Sequence, residues 1–252
     1  VYQEVRDVVG DLDDWVIEAY GDVFADFVRI DATAEKMPNP SGFDGIIITG
    51  SPESVRTDAE WLTALTGFVR TAANEALPML GICFGHQLIA QALGGDVRPR
   101  QAGYRVGSVE YHLQPQGLED GLFHQVPGSF SARTSHEEIV SALPVGAELL
   151  ACETSGDTAA FRVGKTTWGV QFHPEMSDPI LRAVIEAKRS LGKPYTQAIT
   201  DPPRPGHPEV GRTILGNFLD NVRLDSRASA HITGGETVTL GSPLGRTPFS
   251  VP

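Results

Sequence analysis

The chain has 252 residues, enough for one large domain with a well-buried core. Its 20 basic and 32 acidic side chains leave a formal net charge of -12, which argues against non-specific binding to nucleic acid or to an anionic membrane and leaves small molecules and proteins as partners. No run reaches the roughly 20 apolar residues of a membrane span, the N-terminal VYQEVRDVVGDLDD lacks the basic and apolar regions of a secretory signal, and two cysteines, Cys83 and Cys152, do not make a disulfide framework. The sequence therefore reads as cytoplasmic.

Gly10-Asp11-Leu12-Asp13-Asp14 opens a helix, with the Asp11 carboxylate placed to accept from backbone N–H groups two or three residues on. Trp15, Val16, Ala19 and Tyr20 fall on one face of it. Phe24, Phe27, Val28 and Ile30 mark a strand running toward residue 31. Residues 45–49, GIIIT, are an apolar run of the kind buried on both faces of a sheet, and they end at the turn Gly50-Ser51-Pro52-Glu53-Ser54. A helix over 58–74 carries Trp61, Leu62, Leu65 and Phe68 at helical spacing. A short buried strand follows over 79–83, then a helix over 87–93 stopped by Gly94-Gly95. Strand, turn and helix recurring in this order predict an α/β fold: a mostly parallel central sheet with helices on both faces and ligands at the C-terminal strand ends.

From about 104 to 175 the strands shorten, to 105–113, 129–134, 148–154, 159–163 and 167–172, and predict a smaller antiparallel sheet. The last two flank Gly164-Lys165 as a hairpin. A helix over 178–190, a Pro-rich loop over 195–208 and a closing helix over 209–223 follow, the last with Ile214, Leu215, Phe218 and Val222 on its inner face. This reading gives one domain over 1–223 and a Ser/Gly/Pro-rich tail over 224–252, in which 236–240 reads as one edge strand. AAFRVGKT, residues 159–166, satisfies a relaxed phosphate-loop pattern, but its interior is bulky and a strand follows where phosphate binding needs a helix N-terminus. Lys165 reads as a solvated turn residue.

The chemistry concentrates in GICFGHQ, residues 81–87. Gly81-Ile82-Cys83-Phe84-Gly85 has the form of a nucleophile elbow, in which a strand passes to a helix through a turn so tight that small neighbours are needed. That places a thiol at the sheet's C-terminal edge and at a helix N-terminus, a setting that favours thiolate. A thiol nucleophile needs a base, and the base an orienting group. GVQFHPE, residues 169–175, supplies a strand ending in His173, Pro174 and Glu175. An oxyanion hole needs two fixed donors; Phe84 offers one amide, and Ser51 or Gly50, at the end of another buried strand, the second. Cys152, in an apolar run, reads as core.

GICFGHQ, VQFHPE and ITGSPESV (residues 48–55) together resemble the class I, triad-type glutamine amidotransferases, nearest to stand-alone domains similar to the amidotransferase half of GMP synthase. The resemblance spans about residues 7–223 and implies a flavodoxin-like fold and no cofactor or metal. It implies Cys83 as nucleophile, His173 as general base and acid, Glu175 as orienting carboxylate, and Gly50, Ser51 and Phe84 around the oxyanion. Gln87 would help hold the substrate. TSHEEIV, residues 134–140, resembles the family's SHxDxV segment and brings Ser135 and His136 to the pocket for the substrate's amino-acid head, with Glu138 where aspartate is usual. Gly103 to Gly107 resembles a structural GxxxG segment.

Three departures accompany the resemblance. The family's apolar first strand has no counterpart before VRDVVGDLDDW; either this sequence lacks it or the sheet compensates, with residues 236–240 as the candidate. The loop over 191–208 is longer than usual, and no synthetase domain is expected after the tail. The implied activity is hydrolysis of L-glutamine through a cysteinyl thioester, with ammonia passing to a separate acceptor synthetase or amidating enzyme. Two alternatives stay open: a γ-glutamyl hydrolase acting on small γ-glutamyl amides or peptides, and a non-catalytic module that keeps the fold.

Overall fold

The computed structural model describes residues 3–21, 25–190, 207–229 and 236–241. The elements run α1 (Gln3–Val9), α2 (Leu12–Tyr20), β1 (Phe27–Asp31), β2 (Phe43–Ile48), α3 (Glu60–Asn74), β3 (Met79–Ile82), α4 (Phe84–Ala92), β4 (Asp96–Pro99), β5 (Arg105–Leu113), α5 (Pro115–Leu118), β6 (Ser129–His136), β7 (Glu138–Ala142), β8 (Glu148–Glu153), β9 (Thr158–Val163), β10 (Thr167–Val170), α6 (Asp178–Ser190), α7 (His207–Ser229) and β11 (Glu236–Gly241).

Among the described residues nine strands form one sheet in the order β1-β11-β2-β3-β10-β9-β8-β5-β6. The half from β1 to β10 is parallel, and the rest is antiparallel. A separate antiparallel pair joins β4 to β7. The expected mostly parallel sheet with an antiparallel annex is therefore present. The apolar run in β2 explains the layering, because successive strand side chains alternate faces. Ile46 and Ile48 pack with Leu62, Leu65 and Phe68 of α3 and with Leu88 and Ile89 of α4. Ile47 points the other way, to Val16 of α2 and to Ile214, Leu215 and Phe218 of α7.

Asp11 caps α2 as anticipated: its carboxylate accepts from the Leu12 amide at 2.9 Å, and Asp14 reaches back to the Asp11 amide at 2.9 Å. The 159–166 segment is the antiparallel β9–β10 hairpin, with Gly164 at φ 61° in its turn, and no helix follows it. Three expectations change. The helix after Cys83 starts at Phe84 rather than 87, because the elbow runs directly into it. Residues 236–241 lie inside the sheet, parallel to β1 on one side and β2 on the other, rather than at an edge. Cys152 is half-buried on β8 rather than in the core. The Pro-rich loop falls almost wholly outside the described residues, as do 230–235 and 242–252 of the tail.

Candidate active site

Parallel pairing of β3 with β2 and β10 brings three strand ends to one edge of the sheet. Cys83 follows β3 with φ 53° and ψ -97°, a conformation that costs an ordinary L-residue of order 1–3 kcal/mol and persists only where its surroundings impose it. Its amide donates to Val170 O at 2.9 Å, which ties the elbow to β10. Glycine is obligatory on both sides. A Cβ on Gly81 would lie 2.4 Å from Gly85 backbone atoms, and one on Gly85 would lie 2.2 Å from Ile48 O. The thiol is 6% exposed.

His173 reaches the same point from the loop after β10. Its amide donates to Arg133 O at 2.7 Å, and its Nδ1 donates to Glu175 Oε1 at 2.6 Å, with both side chains buried. Burial alone would lower the imidazole pKa, yet the charges of Glu175 and Cys83 and hydrogen bonds to both push it up to about 10. Both flanking groups therefore favour the protonated form of the His173 ring. The loop is clamped from two directions. Arg133, on β6 and buried, donates to Met176 O at 2.7 Å and pairs with Asp178. On the other side α7 lies so close that a Cβ on Gly211 would fall 2.1 Å from Pro174 O.

Gly50 and Ser51 follow β2. A Cβ on Gly50 would sit 3.1 Å from His173 Cε1 and 3.8 Å from Cys83 Cβ, so the Gly50 backbone borders both. The Ser51 hydroxyl accepts from the Glu53 amide at 3.1 Å and shapes the turn. Phe84 opens α4, where amides at the first turn have no intrahelical acceptor. Gly50, Ser51 and Phe84 thus lie at strand and helix ends next to Cys83.

A cavity of about 120 Å³ opens at the thiol, with Ser51, Gln87, Tyr104, Ser135 and His136 among its walls. Gln87 is braced: its Nε2 donates to Glu138 O at 2.9 Å and to Gln171 Oε1 at 3.1 Å. Ser135 bonds the Tyr104 hydroxyl, and its carbonyl accepts from the Cys83 thiol at 3.8 Å. His136 donates through Nδ1 to Glu138 O at 2.9 Å, and burial drops its pKa to about 4, so it is neutral. The Glu138 carboxylate is turned to the Ser54 hydroxyl at 2.9 Å and to Arg56 at 3.3 Å, which ties β7 to the loop after Gly50.

His86, for which the sequence suggested no task, fills the space under β10. It is fully buried against Phe161, 4.9 Å between ring centres, and burial lowers its pKa to about 3. A Cβ at Gly169 would fall 2.8 Å from its Nδ1.

The sequence reading missed four site residues. Gln171 donates to the Cys83 sulfur at 3.6 Å. Its signal was available, because residues 171 and 173 share a face in extended chain. Tyr104, Arg133 and Lys188 carry no motif and join the site only through tertiary packing.

This arrangement of thiol, imidazole and carboxylate at strand and helix ends is suited to acyl transfer. The sequence profile of the family Glutamine amidotransferase class-I matches residues 16–182. The chain belongs to this family of enzymes. Among its relatives, it is 36% identical over 159 residues to a glutamine-hydrolysing GMP synthase subunit of Methanococcus maripaludis strain C5, covering 63% of this chain and 78% of that one. It is 33% identical over 190 residues to the glutamine-hydrolysing GMP synthase of Porphyromonas gingivalis, which covers 73% of this chain and 30% of the relative. Among solved structures, a glutamine amidotransferase from Methylobacillus flagellatus superimposes with TM-score 0.63 at 22% identity, over 74% of this chain and 80% of that one, and shares the fold.

Proposed function

We propose that the protein hydrolyses the side-chain amide of L-glutamine through a thioester on Cys83 and hands the ammonia to a separate acceptor enzyme. The observation that carries this reading is the row formed by Cys83, His173 and Glu175, in which the buried His173 ring meets Glu175 Oε1 at 2.6 Å through Nδ1.

In the first step the Cys83 thiol passes its proton to His173 Nε2 and the sulfur attacks the amide carbon. The C–S bond forms and the carbonyl electron pair moves onto oxygen, where the amide of Phe84 and that of Ser51 or Gly50 stabilise it. As the intermediate collapses, the C–N bond breaks and His173 delivers its Nε2 proton to the leaving nitrogen, releasing ammonia. Water then gives a proton back to His173 and attacks the thioester; the C–S bond breaks as His173 returns that proton to the sulfur, and glutamate departs. Glu175 fixes the ring so that Nε2 faces the sulfur throughout. Gln87, Ser135 and His136 line the space for the amino-acid head.

The separate acceptor is supported by relatives that are named as one subunit of a synthase rather than as the whole enzyme. The net charge of -12 fits a protein or small-molecule partner rather than nucleic acid or a membrane. Among the described residues, no helix is long and apolar enough to cross a membrane. The test is ammonia release from glutamine by the purified protein, alone and with a candidate synthetase. Loss of release in Cys83→Ala is expected; turnover that survives it refutes the thioester route. Faster turnover of γ-glutamyl peptides than of glutamine would transfer the same chemistry to a γ-glutamyl hydrolase.

A further inference from the structure

α6 begins at the Arg133 clamp and runs back across the site. Val184 and Ala187 pack with Trp15 and Met176, while Ile185 packs with Tyr104. Three residues further along the helix, Lys188 lies on the same side as Ile185. It is only 8% exposed, and its ammonium stands 4.4 Å from the centre of the Tyr104 ring. Tyr104 in turn bonds Ser135, whose carbonyl meets the Cys83 thiol. Lys188 lines the 120 Å³ cavity at the thiol and also a second space of about 60 Å³ on the His173 side of the same sulfur.

The other charged residues lining the larger cavity are acidic: Glu53, Glu137 and Glu138. A γ-glutamyl substrate bound with its amide at Cys83 presents an ammonium and a carboxylate at its far end. Carboxylates and backbone carbonyls suit the ammonium, and the carboxylate needs a cation. We infer that Lys188 recognises the substrate's α-carboxylate and so sets the specificity of the site for α-amino acids. The assignment rests on the glutamine-hydrolase reading above. An ammonium has three donors, so Lys188 can keep its place over Tyr104 while donating to a carboxylate. The buried side chain already holds its ammonium beside Tyr104, which lowers the ordering cost of the contact.

The test compares glutamine with 4-aminobutanamide, which is glutamine without its α-carboxylate, in wild type, Lys188→Met and Lys188→Arg. A charge-assisted hydrogen bond at this burial corresponds to a factor on the order of 30 in KM. Lys188→Met is therefore expected to raise KM for glutamine about 30-fold with kcat little changed, to leave 4-aminobutanamide unaffected, and to be rescued in part by Lys188→Arg. Lys188→Gln serves if the methionine variant does not fold, with a melting curve on each. An equal loss on both substrates, or an unchanged KM for glutamine, overturns the assignment and leaves glutamine hydrolysis standing. Calorimetry with L-glutamate and 4-aminobutanoate reads binding without turnover: weaker glutamate binding in Lys188→Met supports the assignment even if ammonia release fails. If wild type neither turns over glutamine nor binds glutamate, both readings fall.

Discussion

Replacing Gly50 by alanine puts a methyl group 3.1 Å from His173 Cε1, 3.4 Å from Leu12 Cδ2 and 3.8 Å from Cys83 Cβ. Gly50 is not among the residues at positive φ, so the backbone accepts alanine and the contact is the whole perturbation. Carbon atoms prefer about 3.5–4.0 Å, so relief requires a displacement of about 0.5 Å. Leu12 and Cys83 are already at ordinary distance, and the imidazole takes most of it. Misplacing a reacting group by about 1 Å costs roughly 100-fold. A shift of half that predicts a loss of about tenfold in kcat, close to 1.4 kcal/mol in the barrier, with the melting temperature nearly unchanged. Gly85→Ala is the contrasting control, because its methyl would meet backbone, Ile48 O at 2.2 Å, and is expected to abolish folding. Steady-state glutaminase kinetics beside calorimetric melting separate the effects. Full activity in Gly50→Ala, or an activity loss that follows a stability loss, would refute the placement of Gly50 against the catalytic pair.

Glu175→Gln removes the strongest influence raising the His173 pKa; activity is expected to fall by about 10²–10⁴, and the imidazole resonance should titrate at lower pH in a nuclear magnetic resonance titration. A folded pKa near 10 means that His173 contributes stability in full below its unfolded value of about 6.5, lost as pH rises toward 10. The wild-type advantage over Glu175→Gln in melting temperature should accordingly narrow between pH 6 and 10, and a constant gap would count against the ion pair. Arg133→Met strips Met176 O and Asp178 of their buried donor; a cost of about 3 kcal/mol is expected, read as a fall of roughly 6–12 °C in melting temperature, and an unchanged melt would show the clamp to be idle. Deleting residues 230–252 removes β11 from between β1 and β2; circular dichroism should report loss of sheet and size-exclusion chromatography association through the bared edges, whereas a monomer with native spectra would show that β11 is dispensable.

The motif-bearing strands were legible because their signals are local. β2 is a continuous apolar run, β5 alternates from Ser108 to Leu113, and the elbow glycines announce a turn. The start of α4 was misread because Gly85 and His86 are poor helix formers, and the helix there is fixed by packing of Gly85 on Ile48 rather than by propensity. β4 and β7 escaped because each is short and, among the described residues, pairs only with the other. Residues 236–241 read as a strand, but no local pattern states which neighbours a strand will have. Lys188 was invisible for a related reason: a lysine near the end of a polar helix reads as solvated, and only the crossing of α6 over Tyr104 brings it to the thiol.

The placement of β11 has a consequence for how the chain acquires its shape. β2 is complete by residue 48, yet the strand that joins it to β1 begins at 236, almost 190 positions later. During synthesis β1 therefore waits outside the sheet while the Cys83 elbow and the His173 loop emerge and pack. Contacts of such sequence separation form slowly, and an unfilled slot between parallel strands is a template for the wrong chain. Ribosome-bound chains should thus pass through a long interval as chaperone clients, and premature termination anywhere before residue 236 should yield aggregates rather than a truncated enzyme.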